Sequence, residues 1–392
     1  MDENTLGTVK LAFKEHYFKH HDRVEIPIRI SEREFGYVPF GGSMIRHLTF
    51  KSAGELIATM VREAPRGAYY SCGYYHDPSL PMAEKGWKGG DLIFDIDADD
   101  LNAPCKAVHD RWSCKQCGKL GQGLRPEECP ACGNNRIAQM NWACELCLGA
   151  AKVELVKLME ILTDDFGITS KNLRPYFSGN IGYHLNVEET IIEELDQQSR
   201  VEIANYVSGK GLLLSTIGIG RQSSYESLAS ALPLETESGW RGRIARYFTQ
   251  YRSKDHVDST AGDVRSKTAH IYRRLGYSKF EKIMEQVAKA AGAAIDAGVT
   301  TDVHRIFRLP GSLHGETGLE KVRIAKLSEF DPSVHPVVLG DEKMKIHVQH
   351  SPPLTLRGET YGPYRQQVVT LPQAAAVYLL CRGLARADSD GH

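Results

Sequence analysis

The chain has 392 residues, 42% hydrophobic and 25% charged, the balance of an ordinary globular protein with one large core or two modest ones. Its 48 Lys/Arg and 49 Asp/Glu leave a net charge of −1, which excludes a global field drawing it onto nucleic acid. No apolar run approaches the ~20 residues of a membrane span, and the opening MDENTLGTVK is too polar for a signal peptide, so no membrane association and a cytoplasmic location are expected.

Residues 1–90 mix helical and strand-like pieces, with turns at Phe40-Gly41-Gly42 and Ala64-Pro65-Arg66-Gly67, and AYYSCGYY reads as a strand. The next clear strand is DLIFDID, the start of DLIFDIDADD (residues 91–100). There Ile93 and Phe94 run into Asp95 and Asp97, which a pleated strand places side by side on one face. Aspartate is a poor strand former and like charges so placed repel, so the pattern is either a solvated strand end or part of a divalent-metal site. A DxD alone does not choose between them.

After a cysteine-rich stretch, AKVELVKLMEILTDDFG has apolar residues at 155, 158, 159 and 162, a helical period closed by Gly167. LRPYFSGNIGYHLNV then reads as strand, glycine turn, strand. Residues 189–290 read as mainly helical, with EKIMEQVAKAAGAAIDAG the clearest case, and HRIFRLPGSLHGETG returns to strand and turn. This order implies an α/β (α+β) fold whose sheet carries the acids. The expected domains are a core from 1–102, 149–188 and 291–392, a metal-binding insertion over 103–148, and a mainly helical subdomain over 189–290. Between Trp240 and Phe280, ten Lys/Arg oppose only Asp255, Asp258 and Asp263, a local net charge of +7, interleaved with Tyr247, Phe248, Tyr251 and Tyr272. Such a stretch suits single-stranded nucleic acid, and equally a solvated helical face with a few core aromatics.

Six of the nine cysteines form CxxC pairs, Cys114/Cys117, Cys129/Cys132 and Cys144/Cys147. Each pair offers two thiolates from one tight turn, and zinc takes four such ligands in a tetrahedron. In a chain expected in a reducing compartment, that spacing indicates metal rather than disulfides. The first two pairs, with Gly or Pro beside them, read as a zinc ribbon. Cys105 and His109 could complete the third pair as a Cys₃His site with the ribbon inserted inside it; alternatively the three pairs cross-brace, or one stays metal-free. One or two structural Zn²⁺ ions are expected, folding a segment too small to hold itself together. Cys72 and Cys381 have no partner by spacing and read as buried thiols.

FDID, FSGNIGYH and RLPGSLHG stand out together: paired carboxylates, and turns offering backbone N–H groups, hydroxyls and imidazoles to phosphate oxygens. That combination suggests two-metal phosphoryl or nucleotidyl transfer. With SEREFG, KGWKGGDLIFDIDADD, DAGVTTDVHRIFRLPGSLHGETGL and LPQAAAVYLLCRGLA, these motifs run in one order through nearly the whole chain. The sequence thereby resembles the archaeal and eukaryotic DNA primase small (catalytic) subunit, the archaeal branch most closely.

The resemblance implies a primase-polymerase fold with an RRM-like catalytic sheet, and template-directed synthesis of short RNA primers on single-stranded DNA. It implies two Mg²⁺ or Mn²⁺ ions on Asp95, Asp97 and a third carboxylate, Asp296, chosen over Asp302 for its interval to His314. Ser178, Gly179, Gly182, His184 and His314 would cradle the nucleoside triphosphate with Arg308 close by, and Glu34 and Arg46 would lie near the initiating nucleotide. The implied partners are the primase large subunit (an iron–sulfur protein in this family) in a heterodimer, a single-stranded DNA template, and ribo- or deoxyribonucleoside triphosphates. The chain departs from the pattern at Asn180 and Ile181, where the family's turn often carries Arg, and at Glu316, where Lys is common; Lys321 or Arg323 could compensate. The ribbon also looks like an elaboration of the family's simpler zinc knuckle. Two other readings stand beside this one: a primase-polymerase that mainly extends ends in repair, and a zinc-bearing nucleic-acid-binding subunit with a weakened active site.

Overall fold

A computed structural model of the chain describes residues 1–142, 144–220, 227, 230–254 and 264–388. Two units emerge: Met1–Lys152 with Arg174–Asp196 and Asp302–His392, and Val153–Leu173 with Gln197–Thr301. Residues 153–173 and 291–301 thus fall in the helical unit, where the sequence reading had assigned them to the core. No helix among the described residues is long and apolar enough to cross a membrane.

The first unit has the mixed α/β architecture expected. One four-stranded sheet has the spatial order Ile306–Arg308, Gly67–Ser71, Phe35–Val38, Ile45–Leu48. A second has the order Val322–Arg323, Leu173–Phe177, Gly182–Val187, Leu92–Asp97, which puts the acidic strand at an edge. AYYSCGYY breaks at Cys72 into Gly67–Ser71 and Gly73–Tyr75, which join different sheets.

Period-two patterning sorts the ladder between Leu92–Asp97 and Gly182–Val187 into two faces. On one face Leu92, Phe94 and Ile96 lie opposite Val187, Leu185 and Tyr183, all at most 2% exposed. The other face pairs Ile93 with Asn186, Asp95 with His184 and Asp97 with Gly182. Burying each large apolar side chain contributes roughly 1.5–3 kcal/mol, so a one-residue slip would exchange that face for the polar one. Apolar burial therefore holds the acids in register.

Within the cysteine-rich segment, Leu120–Gln122, Arg111–Cys114 and Ile137–Met140 form a small three-stranded sheet over a core of Trp112, Cys114, Cys129 and Ile137. A Cβ at Gly121 would overlap the Trp112 ring, so glycine is required there. The two CxxCG turns close alike: the Gly118 N–H donates to the Cys114 carbonyl at 3.0 Å and the Gly133 N–H to that of Cys129 at 2.8 Å. Both glycines have positive φ, 71° and 69°.

The second unit is helical among its described residues, with Gln197–Ser208, Gly239–Lys254, Val264–Leu275 and Tyr277–Ala291 as its longer complete helices. Ile244, Phe248, Phe280, Met284 and Val287 form its core. The basic stretch is partly architectural, while Arg273, Arg274 and Lys279 are exposed. Arg243, 2% exposed, pairs with Asp165 at 3.2 Å, and Arg241 pairs with Glu237. Phe248 is in the core, with Tyr247 and Tyr272 packed against it. The opposing acids Asp255, Asp258 and Asp263 lie outside the described residues.

Candidate active site and metal centres

Asp95 and Asp97 share a strand face, as their spacing requires, and the neighbouring strand sets His184 directly opposite Asp95. The ring Nε2 of His184 is 3.4 Å from Asp95 Oδ1. On the other side of the ring, the Lys321 ammonium donates to Nδ1 at 3.0 Å and to the Arg308 carbonyl at 2.9 Å. Because Nδ1 accepts, Nε2 carries the ring proton and presents it toward Asp95. Burial, then the charges of Lys321 and Arg308, holds the His184 pKa well below its ordinary value, so the ring is neutral. Lys321 is 0% exposed, lies 5.1 Å from the Tyr176 ring centroid, and is brought by burial and Arg308 to a pKa of about 7.

The SGNIGYH turn is built from its own polar groups. The Ser178 hydroxyl accepts from the N–H groups of Asn180 (3.3 Å) and Gly182 (3.2 Å), and the Ser178 N–H donates to the Gly182 carbonyl at 3.0 Å. Gly179 has φ 85°, and a Cβ there would meet the Leu319 carbonyl at 3.0 Å and His314 Cβ at 3.2 Å. A Cβ at Gly182 would overlap Asp97. These two glycines let the turn lie directly against the His314 loop and the acidic strand. The Thr317 hydroxyl locks the contact by donating to the Gly179 carbonyl at 2.6 Å.

His314 is held at both ends of a tight loop. Its N–H donates to the Leu319 carbonyl at 2.7 Å, and its own carbonyl accepts from Gly318 at 2.7 Å. Nδ1 accepts from the Glu316 N–H at 3.2 Å, leaving the proton on Nε2. Burial lowers the His314 pKa well below its ordinary value, helped by Arg308, Arg382 and Arg66. Arg308 donates to the Leu313 carbonyl at 3.2 Å and to the Tyr69 hydroxyl at 3.1 Å.

The positions that depart from the family pattern have definite places. Ile181 is buried, Glu316 is exposed, and Asn180 Oδ1 accepts from Arg382 at 2.6 Å. Lys321, considered as a compensating cation, is buried against His184, and Arg323 is exposed on a strand at the opposite edge of the sheet from the acids. Glu34 and Arg46 meet as an ion pair in which the carboxylate is buried and the guanidinium is part-exposed. The Glu34 carboxylate, 0% exposed, accepts from Arg46 Nε at 2.8 Å, Lys85 Nζ at 2.5 Å and the His47 N–H at 3.2 Å. Burial raises its pKa, and the hydrogen bonds from Arg46 and Lys85 outweigh that and bring it below the usual range.

Asp296 belongs to the helical unit, where its Oδ1 accepts from the Val299 N–H at 3.1 Å at the start of the helix Ala297–Thr301. Asp302 belongs to the first unit; its Oδ1 accepts from the His304 N–H at 2.9 Å, and its carbonyl lies 3.5 Å from Cys72 Sγ.

Eight metal-binding candidates gather into two groups with the expected membership: Cys105, His109, Cys144, Cys147, and Cys114, Cys117, Cys129, Cys132. Within each group the ligand atoms lie within 4.8 Å of one another. The Cys105–Cys147, Cys114–Cys132 and Cys117–Cys129 sulfur separations are 3.3, 3.6 and 3.7 Å, all free thiols. A disulfide would be ~2.05 Å, whereas the edge of a Zn–S tetrahedron with ~2.3 Å bonds is ~3.8 Å. Both groups could hold a metal ion. His109 turns Nε2 toward Cys147 Sγ at 3.0 Å and sets Nδ1 2.8 Å from Asp110 Oδ1, which places a carboxylate behind an imidazole that could ligate a metal. Cys72 and Cys381 are buried outside both groups.

A family model described as DNA primase small subunit matches residues 135–325. The DNA primase small subunit PriS of Cenarchaeum symbiosum (strain A) is 38% identical over 387 residues, covering 99% of this chain and 100% of that protein. PriS of Nitrosopumilus maritimus (strain SCM1) is 34% identical over 385 residues, covering 98% and 99%. PriS of Archaeoglobus fulgidus is 31% identical over 387 residues, covering 97% and 98%. Among solved structures, the polymerase domain from Mycobacterium tuberculosis Ligase D in complex with DNA aligns over 83% of each chain at 10% identity, with a TM-score of 0.33.

Proposed function

This chain belongs to the DNA primase small-subunit family, and on that premise we propose that it joins nucleotides into short RNA primers on a single-stranded DNA template. The observation that carries the proposal is the ladder that puts Asp95 and Asp97 on one face with neutral His184 opposite Asp95.

The carboxylate oxygens of Asp95 and Asp97 are hard donors suited to Mg²⁺ or Mn²⁺. They would hold two such ions, with Asp296 as the third carboxylate by resemblance. When bound, two ions supply activation of the attacking 3′-hydroxyl and neutralisation of the leaving pyrophosphate. The protein's own residues do the positioning. His184, its tautomer set by Lys321, directs a neutral N–H toward Asp95 and adds no charge against the carboxylate. His314 Nε2–H, Arg308 and the backbone of the Ser178–Gly182 turn are donors for the triphosphate; the Ser178 hydroxyl shapes that turn. The two cysteine groups would each hold one structural Zn²⁺. The large primase subunit is the proposed partner, and the chain works in the cell interior as a template-bound enzyme.

The test is Asp95→Ala combined with Asp97→Ala, assayed for primer synthesis on a single-stranded template with ribo- and deoxynucleotides, with and without the large subunit. Synthesis should fall by at least ~10³-fold while template binding persists, because only the ions' contribution is lost. A double variant that still makes primers would sink the assignment. A wild-type chain that extends primed ends but never joins two free nucleotides would favour the end-extension reading instead.

A further inference from the structure

Several arginines of the first unit meet a carboxylate that is buried or half-buried. Arg23 pairs with Glu320, Arg33 with Asp91, Arg46 with Glu34 and Arg174 with Glu188. Arg66, Arg308 and Arg382, by contrast, have no carboxylate within ion-pair distance among the described residues, and all three are fixed around one histidine.

The fixing contacts are specific. Arg308 Nη1 donates to the carbonyl of Leu313, the residue before His314, at 3.2 Å. Arg66 Nε donates to the carbonyl of Gly315, the residue after it, also at 3.2 Å. Arg382 Nη2 donates to Asn180 Oδ1 at 2.6 Å, within the turn whose Gly179 packs against His314. The Arg382 guanidinium carbon sits 5.6 Å from the Tyr378 ring centroid, and its buried Nε has no hydrogen-bond partner. Each arginine is therefore anchored through one or two donors, with the others left over.

Two cavities meet at Arg382. One, of about 360 Å³, is lined by Arg382 and Arg111 but also by Asp99 and Glu316, and two carboxylates would repel an anion there. The other, of about 430 Å³, is lined by both Arg66 and Arg382 with Pro39, Phe40, Gly41, Gly42, Cys381 and Gly383, and no carboxylate is among its lining residues. Two guanidiniums without counter-charge, lining one cavity free of acids, are the chemistry of phosphate recognition.

We propose that Arg66 and Arg382, together with Arg308 beside His314, form the binding site for the triphosphate tail of the incoming nucleotide. This deepens the nucleotidyl-transfer reading and rests on it. It also accounts for the chain's lack of cations at Asn180, Ile181 and Glu316. The charge comes from two positions remote in sequence, one before the acidic strand and one at the end of the last helix, Gln373–Cys381. The depressed His314 pKa agrees, since Arg308, Arg382 and Arg66 all act on that ring.

The test uses the full chain with two readouts. The first is calorimetric binding of inorganic tripolyphosphate without divalent metal; the second is the nucleotide KM in primer synthesis. Arg66→Ala and Arg382→Ala should each weaken tripolyphosphate binding about tenfold, equivalent to ~1.4 kcal/mol. Each should raise the nucleotide KM by a similar factor, more than kcat falls. Arg382→Lys, which keeps the charge without the fork, should recover part of the loss. Arg365→Ala, an exposed control on the strand Tyr364–Pro372, should change neither. The inference is overturned if Arg66→Ala and Arg382→Ala, shown by melting temperature to be folded, behave like Arg365→Ala in both readouts. If wild-type protein makes no primers yet binds tripolyphosphate through these arginines, the reaction assignment fails and the anion site stands. Primer synthesis with no arginine dependence removes the site alone.

Discussion

Replacing Glu34 by Gln should destabilise the first unit by about 3 kcal/mol, through Lys85 rather than through any ligand. The carboxylate and the Lys85 ammonium are both 0% exposed and 2.5 Å apart. Without the carboxylate charge, Lys85 either stays ionised in the interior or gives up its proton. Breaking a buried pair in this way costs ~3–5 kcal/mol. Arg46 is 35% exposed, so water replaces its partner and its share is under ~1 kcal/mol. The glutamine oxygen still accepts one hydrogen bond, which places the sum near the low end of the range. Hydrogen exchange of the strands Phe35–Val38 and Gly67–Ser71 reads this locally, and ~3 kcal/mol should cut their protection about a hundredfold. Adding Lys85→Met, which removes the stranded charge, should restore most of it. Protection unchanged in Glu34→Gln, or a double variant no better protected than the single, would refute the reasoning. Primer synthesis lost in the single variant and regained in the double would assign Glu34 to folding rather than to nucleotide contact.

Two further outcomes can be checked independently. His16, 4% exposed beside His20, Asp22 and Arg23, has its pKa lowered from 6.5 to about 4, chiefly by burial. It is neutral when folded and protonates first when unfolded, so its stability contribution is complete above pH 6.5 and is lost as pH falls toward 4. The loss amounts to about 3 kcal/mol, and His16→Phe should show that much less acid destabilisation than wild type in urea titrations at successive pH values. Elemental analysis should find about two zinc ions per chain, about one after Cys117→Ser, and zinc affinity at the other site ~10–100-fold weaker after Asp110→Asn. A wild-type stoichiometry near one would break the two-site pairing.

What the sequence could disclose depended on distance along the chain. Asp95 and Asp97 were legible because a strand's two-residue period is local. The cysteine groups were legible because CxxC turns nearly define their own geometry, although the pairing of Cys105 and His109 with Cys144 and Cys147 needed the fold. Lys321 was noticed as a cation near a motif, but nothing local shows that it lies against a histidine 137 positions away. Arg66 and Arg382 carried no signal, since each acts through a backbone or side-chain oxygen from a distant segment. The motif serine at 178 was read as a ligand group; that its hydroxyl also accepts from two N–H groups of its own turn is a detail no spacing shows. The basic stretch shows another limit: composition counts charges, and burial decides which of them, such as Arg243, are paired and which, such as Arg273 and Arg274, stay exposed.

The strand ladder also imposes something like a reading frame on the gene. One codon added between those for Tyr183 and His184 would push every later side chain of that strand through the sheet, turning His184 into the hydrophobic interior and Leu185 toward the acids. One codon added in a connection of the cysteine-rich segment, outside its strands and CxxC turns, merely lengthens a loop. Substitution and insertion should therefore leave different marks on this protein. A mutational scan by insertion would trace the acidic ladder as a sharp band of lost function, while a scan by conservative substitution would blur it into the surrounding core.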